Sequence, residues 1–396
     1  MEFLNDTEGS PEREGVDPLL DLGWNQFFSN GLSDLRGRGR GDAELEPARV
    51  LEVRRGSFVV AARDGNGGLA EFEARPSGRL SSDCLAAAQW PATGDWVALR
   101  GRERTGGRAS ADPGSAIVEA VLPRSSAFSR KAAGDSRYDK VSEQVLVANV
   151  DTAFIVTAAG TDFSVRRIER YAALAHESGA SPVLVITKAD LAGDAVLDLV
   201  AAAGDAYPFA PAFAVCAPEG RGLDAMAKHL KAGSTAVLLG SSGSGKSTLL
   251  NALAGTELNS TGAVKDYDQR GRHTTSSRTL FMLPGGAMVI DTPGLREVQL
   301  WLGEESLGGV FTEIEEAAAA CRFSDCSHEG EPDCAVQAGL ESGSIMADRY
   351  ESWQRLMKEV RFLETKTNVT AKLAERAKWK IRSKASRQLR RLRGEI

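Results

Sequence analysis

Residues Gly240, Ser241, Ser242, Gly243, Ser244, Gly245, Lys246, Ser247 and Thr248 spell G-x-x-x-x-G-K-[ST], a spacing that cradles phosphates. The glycines let backbone N–H groups turn inward without Cβ clashes, and a following helix presents its positive end. At these positions a lysine (Lys246) reaches the β and γ phosphates and a hydroxyl (Ser247) coordinates Mg²⁺. A Gly/Ser linker would have neither the apolar strand before the loop, Ala236 to Leu239, nor the lysine, nor the helix expected from "KSTLLNALAG".

Phosphate binding alone does not choose between ATP and GTP. The usual guanine reader is [NT]-K-x-D, whose carboxylate accepts from the guanine N1–H and amino group and repels the N1 acceptor of adenine. Downstream of the loop only "TKTN" (365–368) imitates it, without the Asp. Upstream, Thr187, Lys188, Ala189 and Asp190 match it directly after the apolar run "PVLVI", where a parallel sheet places its ligand loops. About 26 residues further on, Cys216-Ala217 stands where a Ser-Ala pair meets the guanine O6 by backbone N–H. That contact uses backbone, so Cys in place of Ser is tolerated, and Thr187 takes a place where Asn is commoner.

Two more elements follow the phosphate loop. "GRHTT" (271–275) offers Thr274 or Thr275 to complete a Mg²⁺ shell, and "DTPG" places Asp291 to hold Mg²⁺ through water and the Gly294 N–H on the γ-phosphate. D-x-x-G also occurs at 64–67 and 190–193, but only the copy at 291 follows an apolar strand behind a phosphate loop. All five elements of a GTPase are therefore present in rotated order, base readers first. That order predicts a circularly permuted GTPase, and it places a carboxy-terminal domain almost directly after Gly294, where hydrolysis could reposition it. Leu295 stands where many small GTPases have a water-orienting Gln, so slow intrinsic hydrolysis is expected, with His273 as the candidate catalytic group.

A different chemistry is spelled by Cys321, Cys326, His328 and Cys334. Three thiolates and one imidazole in a Gly/Asp/Pro-containing loop form a closed tetrahedral Zn²⁺ set, the structural kind without an open position.

These groups need elements to hold them. Short β segments, "RVLEV", "SFVVAAR", "AEFEA", "DWVALRG" and "AIVEAVL", predict a small five-stranded barrel of the oligonucleotide-binding type over 47–123, a pattern an SH3-like barrel would nearly share. From 124 to 303 apolar strands alternate with helices, the pattern of an α/β sheet domain. Residues 304–365 are expected to be helical around the zinc loop. Residues 1–46 are polar and Gly-rich and read as a flexible extension holding one short helix around "LLDLGWNQFF". From Lys366 to Arg393 a basic tail carries 11 Lys/Arg against one acid, Glu375, on a chain of net charge −6. Such a tail suits a polyanion such as RNA, or is simply a solvated end. The acidic, polar start is unlike a secretory signal, and no apolar run approaches the ~18 residues of a membrane span. The expected compartment is the cytosol, with reduced cysteines.

The succession of barrel, "TKAD", "GSSGSGKST", "GRHTT", "DTPGLRE" and the Cys-Cys-His-Cys loop resembles the ribosome small-subunit-dependent GTPase A family over about residues 46–360. "GDWV" (94–97), "LPRSSAFSR" (122–130) and "QVLVANVDTAFIV" (144–156) add to the resemblance. The resemblance implies a monomeric bacterial cytoplasmic GTPase that uses GTP, Mg²⁺ and one structural zinc. It implies binding to the 30S subunit and its 16S rRNA, help in late maturation alongside late assembly factors, and stimulation by the subunit. Two other readings compete: an RNA-binding scaffold whose GTP site is only a structural switch, and a P-loop ATPase or kinase, against which Asp190 argues.

Overall fold

The computed structural model describes residues 17–37, 45–64, 66–83, 87–100, 116–131, 143–256, 278–292 and 304–367. After α1 (Gln26–Gly37), the first strands are β1 (Glu46–Arg54), β2 (Ser57–Arg63) and β3 (Leu69–Pro76). Helix α2 (Gly78–Asp83) leads to β4 (Trp96–Arg100) and β5 (Ala116–Val121). These strands join in the order β1-β2-β3-β5-β4 and close by an antiparallel β1–β4 pairing, with β3 and β5 parallel. Every second residue points inward: Ala48 and Val50, Phe58, Val60 and Ala62, Val97 and Leu99, Ala116 and Val118 form one buried cluster. That period of two is the pattern of a small closed barrel.

The chain then forms the β6 (Ala127–Lys131) and β7 (Glu143–Ala148) pair, followed by β8 (Thr152–Ala158), α3 (Val165–Ser178) and β9 (Ser181–Thr187). Next come α4 (Val196–Ala206), β10 (Ala212–Ala214), α5 (Leu223–Ala227), β11 (Thr235–Leu239), α6 (Lys246–Ala254), β12 (Thr279–Met282) and β13 (Met288–Asp291). Strands β10-β9-β8-β11-β13 are parallel neighbours, and β12 adds an antiparallel strand. Their apolar runs follow from burial on both faces of a parallel sheet. From β8 the chain moves outward through β9 and β10, then returns to build β11 and β13 on the other side. The switch point therefore lies between β8 and β11, where open α/β sheets bind ligands.

Strand β12 also pairs with β1, Thr279 opposite Glu52, so barrel and sheet are continuous. The described residues through 130 and from 144 to 292 form one compact unit, and Lys131, Glu143 and 304–367 belong to a second. Segments that resemble the family meet inside the first unit. Arg124 holds the buried Asp95 carboxylate with two bonds of 2.8 and 2.7 Å. Asn149 donates to the Gly94 carbonyl at 3.0 Å and accepts from Ser125 N–H at 2.9 Å.

Residues 17–37 lie inside the segment expected to be a flexible extension, and they are folded. A short turn of 3-10 helix, Pro18–Leu22, and α1 bury Leu19, Leu22, Phe28, Leu32 and Leu35. Trp24 meets the buried Trp96 of the barrel edge-on and Phe28 meets it tilted, centroids 4.7 and 5.7 Å away. This local apolar cluster, diluted in the composition of 1–46, supplies the burial that the segment as a whole lacks.

The segment is tied in by Arg49, fully buried on the outer face of β1. Its guanidinium donates to the carbonyls of Leu22 (2.6 Å), Gly94 (2.8 Å) and Asn149 (3.0 Å) and to Thr235 Oγ1 (2.9 Å). Burial pulls its pKa down to about 10, against the pull of Asp151 and Asp95. Arg49→Met keeps the apolar stem but leaves buried acceptors unpaired, a loss of about 3–5 kcal/mol. The expected result is a melting temperature lower by roughly 10 °C in calorimetry; an unchanged value would show that the four bonds add nothing.

The second unit is helical: α7 (Glu304–Gly308), α8 (Thr312–Ala319), α9 (Ala335–Ser342) and α10 (Ala347–Thr367). Leu307, Phe311, Ile314, Val336, Trp353 and Val360 are buried, and Arg349 pairs with Glu313 at 2.6 Å beneath the Phe311 ring. Among the described residues of the chain, no helix is long and apolar enough to cross a membrane.

Candidate nucleotide site and metal centre

The carboxyl ends of five parallel strands carry the candidate residues of the first unit. The loop after β8 holds Asp162, and the loop after β9 holds Thr187 to Asp190. Cys216 and Ala217 follow β10, the phosphate loop follows β11, and Asp291 closes β13. Residues from 187 to 291 thus converge because parallel strands all end at one edge.

The loop backbone depends on glycine at two places. A Cβ on Gly240 would collide with the Val156 carbonyl oxygen, and Gly245 has φ +90 with Thr187 against it. Lys246 Nζ lies along the loop, donating to the carbonyls of Gly240 (2.8 Å) and Ser241 (2.5 Å) and to Ser244 Oγ (3.3 Å). Helix α6 starts at Lys246, so Ser247 and Thr248 lie in its first turn. Asp291 lies beside β11, and the next residue, Thr292, donates through Oγ1 to Leu238 O at 3.1 Å. The Asp291 carboxylate and the Ser247 hydroxyl are both hard oxygen donors of the kind Mg²⁺ takes.

Sequence reasoning did not single out Asp162. Its two oxygens accept from Ser241 Oγ at 2.8 Å each, and Arg167 pairs with it at 2.6 Å. Burial would raise its pKa, yet the bonds from Arg167, Ser241 and Ala158 N–H hold it below the usual carboxylate range. Its place directly after an apolar parallel strand is the signal that could have marked it.

The base-loop residues form a pocket of about 470 Å³ lined by Ala189, Asp190, Asp194, Val196, Cys216 and Arg221, among others. Its size falls in the range of small-molecule sites. Cys216 Sγ donates to Asp190 Oδ1 at 3.3 Å. Burial first, then this bond to a carboxylate, pushes the thiol pKa up, so it remains a donor. Lys188 takes φ +55, which turns the chain out of β9.

Thr187 is buried, and its Oγ1 donates to Ser244 O at 2.5 Å, tying the base loop to the phosphate loop. Thr187→Val keeps the shape but strands a buried carbonyl, a cost of about 1–3 kcal/mol. Nucleotide binding by titration calorimetry is expected to weaken roughly ten-fold, with Thr187→Ser retaining it; equal affinity for the valine variant would remove Thr187 from the account.

In the second unit, the ligand atoms of Cys321, Cys326, His328 and Cys334 all lie within 4.8 Å of one another. Cys321 Sγ is 3.6 Å from His328 Nδ1 and 3.9 Å from Cys334 Sγ, and Cys334 Sγ is 3.5 Å from His328 Nδ1. A tetrahedron with Zn–S and Zn–N bonds of ordinary length has edges of about 3.5–3.8 Å, so these separations fit one ion. His328 sits at φ +59, fixed by Tyr350 Oη and Gln337 Nε2, both donating to its carbonyl. Glu331 accepts from the N–H groups of Ser327 and Glu329 at 2.9 Å each, folding the loop between the ligands. Its pKa falls to about 2, chiefly through the Ser327 hydroxyl and backbone.

Residues 121–301 match the RsgA GTPase family model. The chain is 41% identical over 381 residues to "Small ribosomal subunit biogenesis GTPase RsgA" of Opitutus terrae, covering 95% of this chain and 99% of that protein. It belongs to the RsgA GTPase family. A like-named relative from Streptomyces coelicolor is 40% identical, covering 92% of each chain. The crystal structure of YjeQ from Thermotoga maritima matches with a TM-score of 0.56 at 25% identity, over 80% of this chain and 99% of that one. YloQ, described as a circularly permuted GTPase, shares the fold with a TM-score of 0.55 at 22% identity, over 80% and 96%.

An RsgA GTPase is a GTP hydrolase, and in this chain the candidate base loop, Thr187–Asp190, precedes the candidate phosphate loop, Gly240–Thr248. Of the residues expected to form the site, the structure gathers those at 187–190, 216–217, 240–248 and 291. His273, Thr274, Thr275 and Gly294 lie outside the described residues, as do most of the basic tail and residues 1–16.

Proposed function

We propose that this protein is a cytoplasmic, monomeric GTPase that binds the 30S ribosomal subunit through its 16S rRNA and assists late maturation, with hydrolysis stimulated by the subunit. One observation carries this: a guanine-type loop and a phosphate loop, joined by the Thr187–Ser244 bond, in a chain collinear with relatives named for small-subunit biogenesis. In this reading Asp190 accepts from the guanine N1–H and amino group, and the Cys216 thiol holds that carboxylate in place. The backbone of Cys216-Ala217 meets O6, and the loop from Gly240 to Thr248 wraps the phosphates. Lys246 exchanges its loop carbonyls for β and γ oxygens, since charged phosphate oxygens are stronger acceptors than carbonyls.

Ser247 and Asp291 would hold Mg²⁺, with Thr274 or Thr275 alongside; when bound, the ion neutralises charge on the phosphates. Gly294 meets the γ-phosphate, and His273 orients the attacking water when the protein is docked on the subunit. Cys321, Cys326, His328 and Cys334 hold one structural zinc. The barrel is of the oligonucleotide-binding type: its closure order and parallel β3–β5 pair support this over an SH3-like barrel.

Co-sedimentation with purified small subunits tests the reading. The protein is expected in the pellet with a non-hydrolysable GTP analogue and largely in the supernatant with GDP. Equal partition in both states would reduce the nucleotide site to an accessory.

A further inference from the structure

The buried Arg49 and the half-buried Arg124 and Arg349 are matched to acceptors, and the half-buried Arg278 is not. Arg49 has three carbonyls and a hydroxyl, Arg124 has Asp95 and the carbonyls of Ala88 and Trp90, and Arg349 has Glu313 and the Val310 carbonyl. Arg278, directly before β12, has a buried Nε with no hydrogen-bond partner. Among the described residues no carboxylate pairs with it or with Arg130 of β6.

The fold links the elements that carry these two cations through Thr93. Thr93 Oγ1 donates to the Arg278 carbonyl at 3.0 Å, and the Thr93 backbone bridges Val147 on β7. Strand β7 pairs with β6, where Arg130 Nε donates to Gln144 Oε1 at 2.9 Å. Burial and then the charge of Arg130 lower the Arg278 pKa to about 10. Like charges held together by a fold are stabilised by an anion, and planar guanidinium forks match phosphate oxygens.

We infer that Arg130 and Arg278 form a receptor for a backbone phosphate of the RNA this protein binds, an inference that rests on the ribosomal reading above. A nucleotide phosphate is the other source of that chemistry, and position argues against it. Strand β12 lies two places from β11, about 10 Å by strand spacing, and Arg130 is on a separate two-stranded sheet. Arg278 instead flanks the seam where β12 meets the barrel strand β1. It also follows Thr275 by only three residues, so a phosphate held there would anchor the chain beside "GRHTT".

The test measures binding of purified small subunits by the full chain across a salt series, in the presence of a non-hydrolysable GTP analogue. For Arg130→Gln/Arg278→Gln, log affinity against log salt is expected to flatten by about one unit, the effect of one lost phosphate contact. Affinity near physiological salt should fall about five- to ten-fold, while GTP affinity without subunits stays within two-fold of wild type. Arg130→Gln alone, which leaves Arg278 in place should the double variant fold poorly, is expected to give the same direction. An unchanged slope in variants that still bind would overturn the receptor alone. A parallel loss of GTP affinity would reassign the pair to the nucleotide. Failure of the wild type to bind subunits would overturn the ribosomal reading together with this inference.

Discussion

Asp190→Asn is expected to weaken GTP binding by about a hundred-fold or more and to admit xanthosine triphosphate in its place. One carboxylate accepts two hydrogen bonds from guanine, and bonds to a charged group are worth about 1.5–3 kcal/mol each, which sets the lower bound. An Asn side chain turns an N–H₂ toward one of those donors, so the loss includes a donor–donor clash. Xanthine has a carbonyl where guanine has its amino group, and that same N–H₂ can donate to it. Cys216 keeps its place, because the Asn carbonyl can still accept from the thiol that now bonds Asp190 at 3.3 Å. Displacement of a labelled nucleotide by GTP, ATP and xanthosine triphosphate reads all three affinities. Unchanged GTP affinity would mean that the base is read elsewhere and that "TKAD" is a coincidence of sequence.

The second large effect is on the helical unit. Cys334→Ala, or treatment with a strong chelator, is expected to remove about one zinc per chain and melt this unit, with loss of helical circular dichroism. Structural zinc contributes on the order of 10–16 kcal/mol, as much as the 5–15 kcal/mol that stabilises a typical domain. The loop from Cys321 to Cys334 contains no strand and little apolar burial, so nothing else holds it at that scale. The nucleotide loops belong to the other compact unit, so GTP affinity is expected to survive within about two-fold. Metal analysis finding no zinc in protein purified without chelator would contradict the assignment.

Local pattern determines much of this fold. The five barrel strands stand where alternation places them, and "SFVVAAR" coincides with β2 residue for residue. The buried parallel strands are apolar runs, and the phosphate loop is recognisable because glycine, lysine and hydroxyl each serve a separate geometric need. What resisted reading depends on partners far away in sequence. Arg49, in "RVLEV", looks like an ordinary outward residue, and its acceptors lie 27, 45, 100 and 186 residues away. Asp162 meets Ser241 across 79 residues, and Thr187 meets Ser244 across 57. Thr187 is instructive, because it stands where Asn is commoner. Its hydroxyl ties the two halves of the nucleotide site together. The order of those halves was legible, while the bond between them required the fold.

Subunit-stimulated turnover tests the central claim most directly. Phosphate release from GTP is measured at fixed protein while purified small subunits are titrated in. The account predicts slow hydrolysis alone, a rise of roughly ten-fold or more that saturates with subunit concentration, and loss of that rise in His273→Ala. A rate that stays flat while the subunits demonstrably bind would contradict it, leaving an RNA-binding scaffold whose GTP site is only a structural switch.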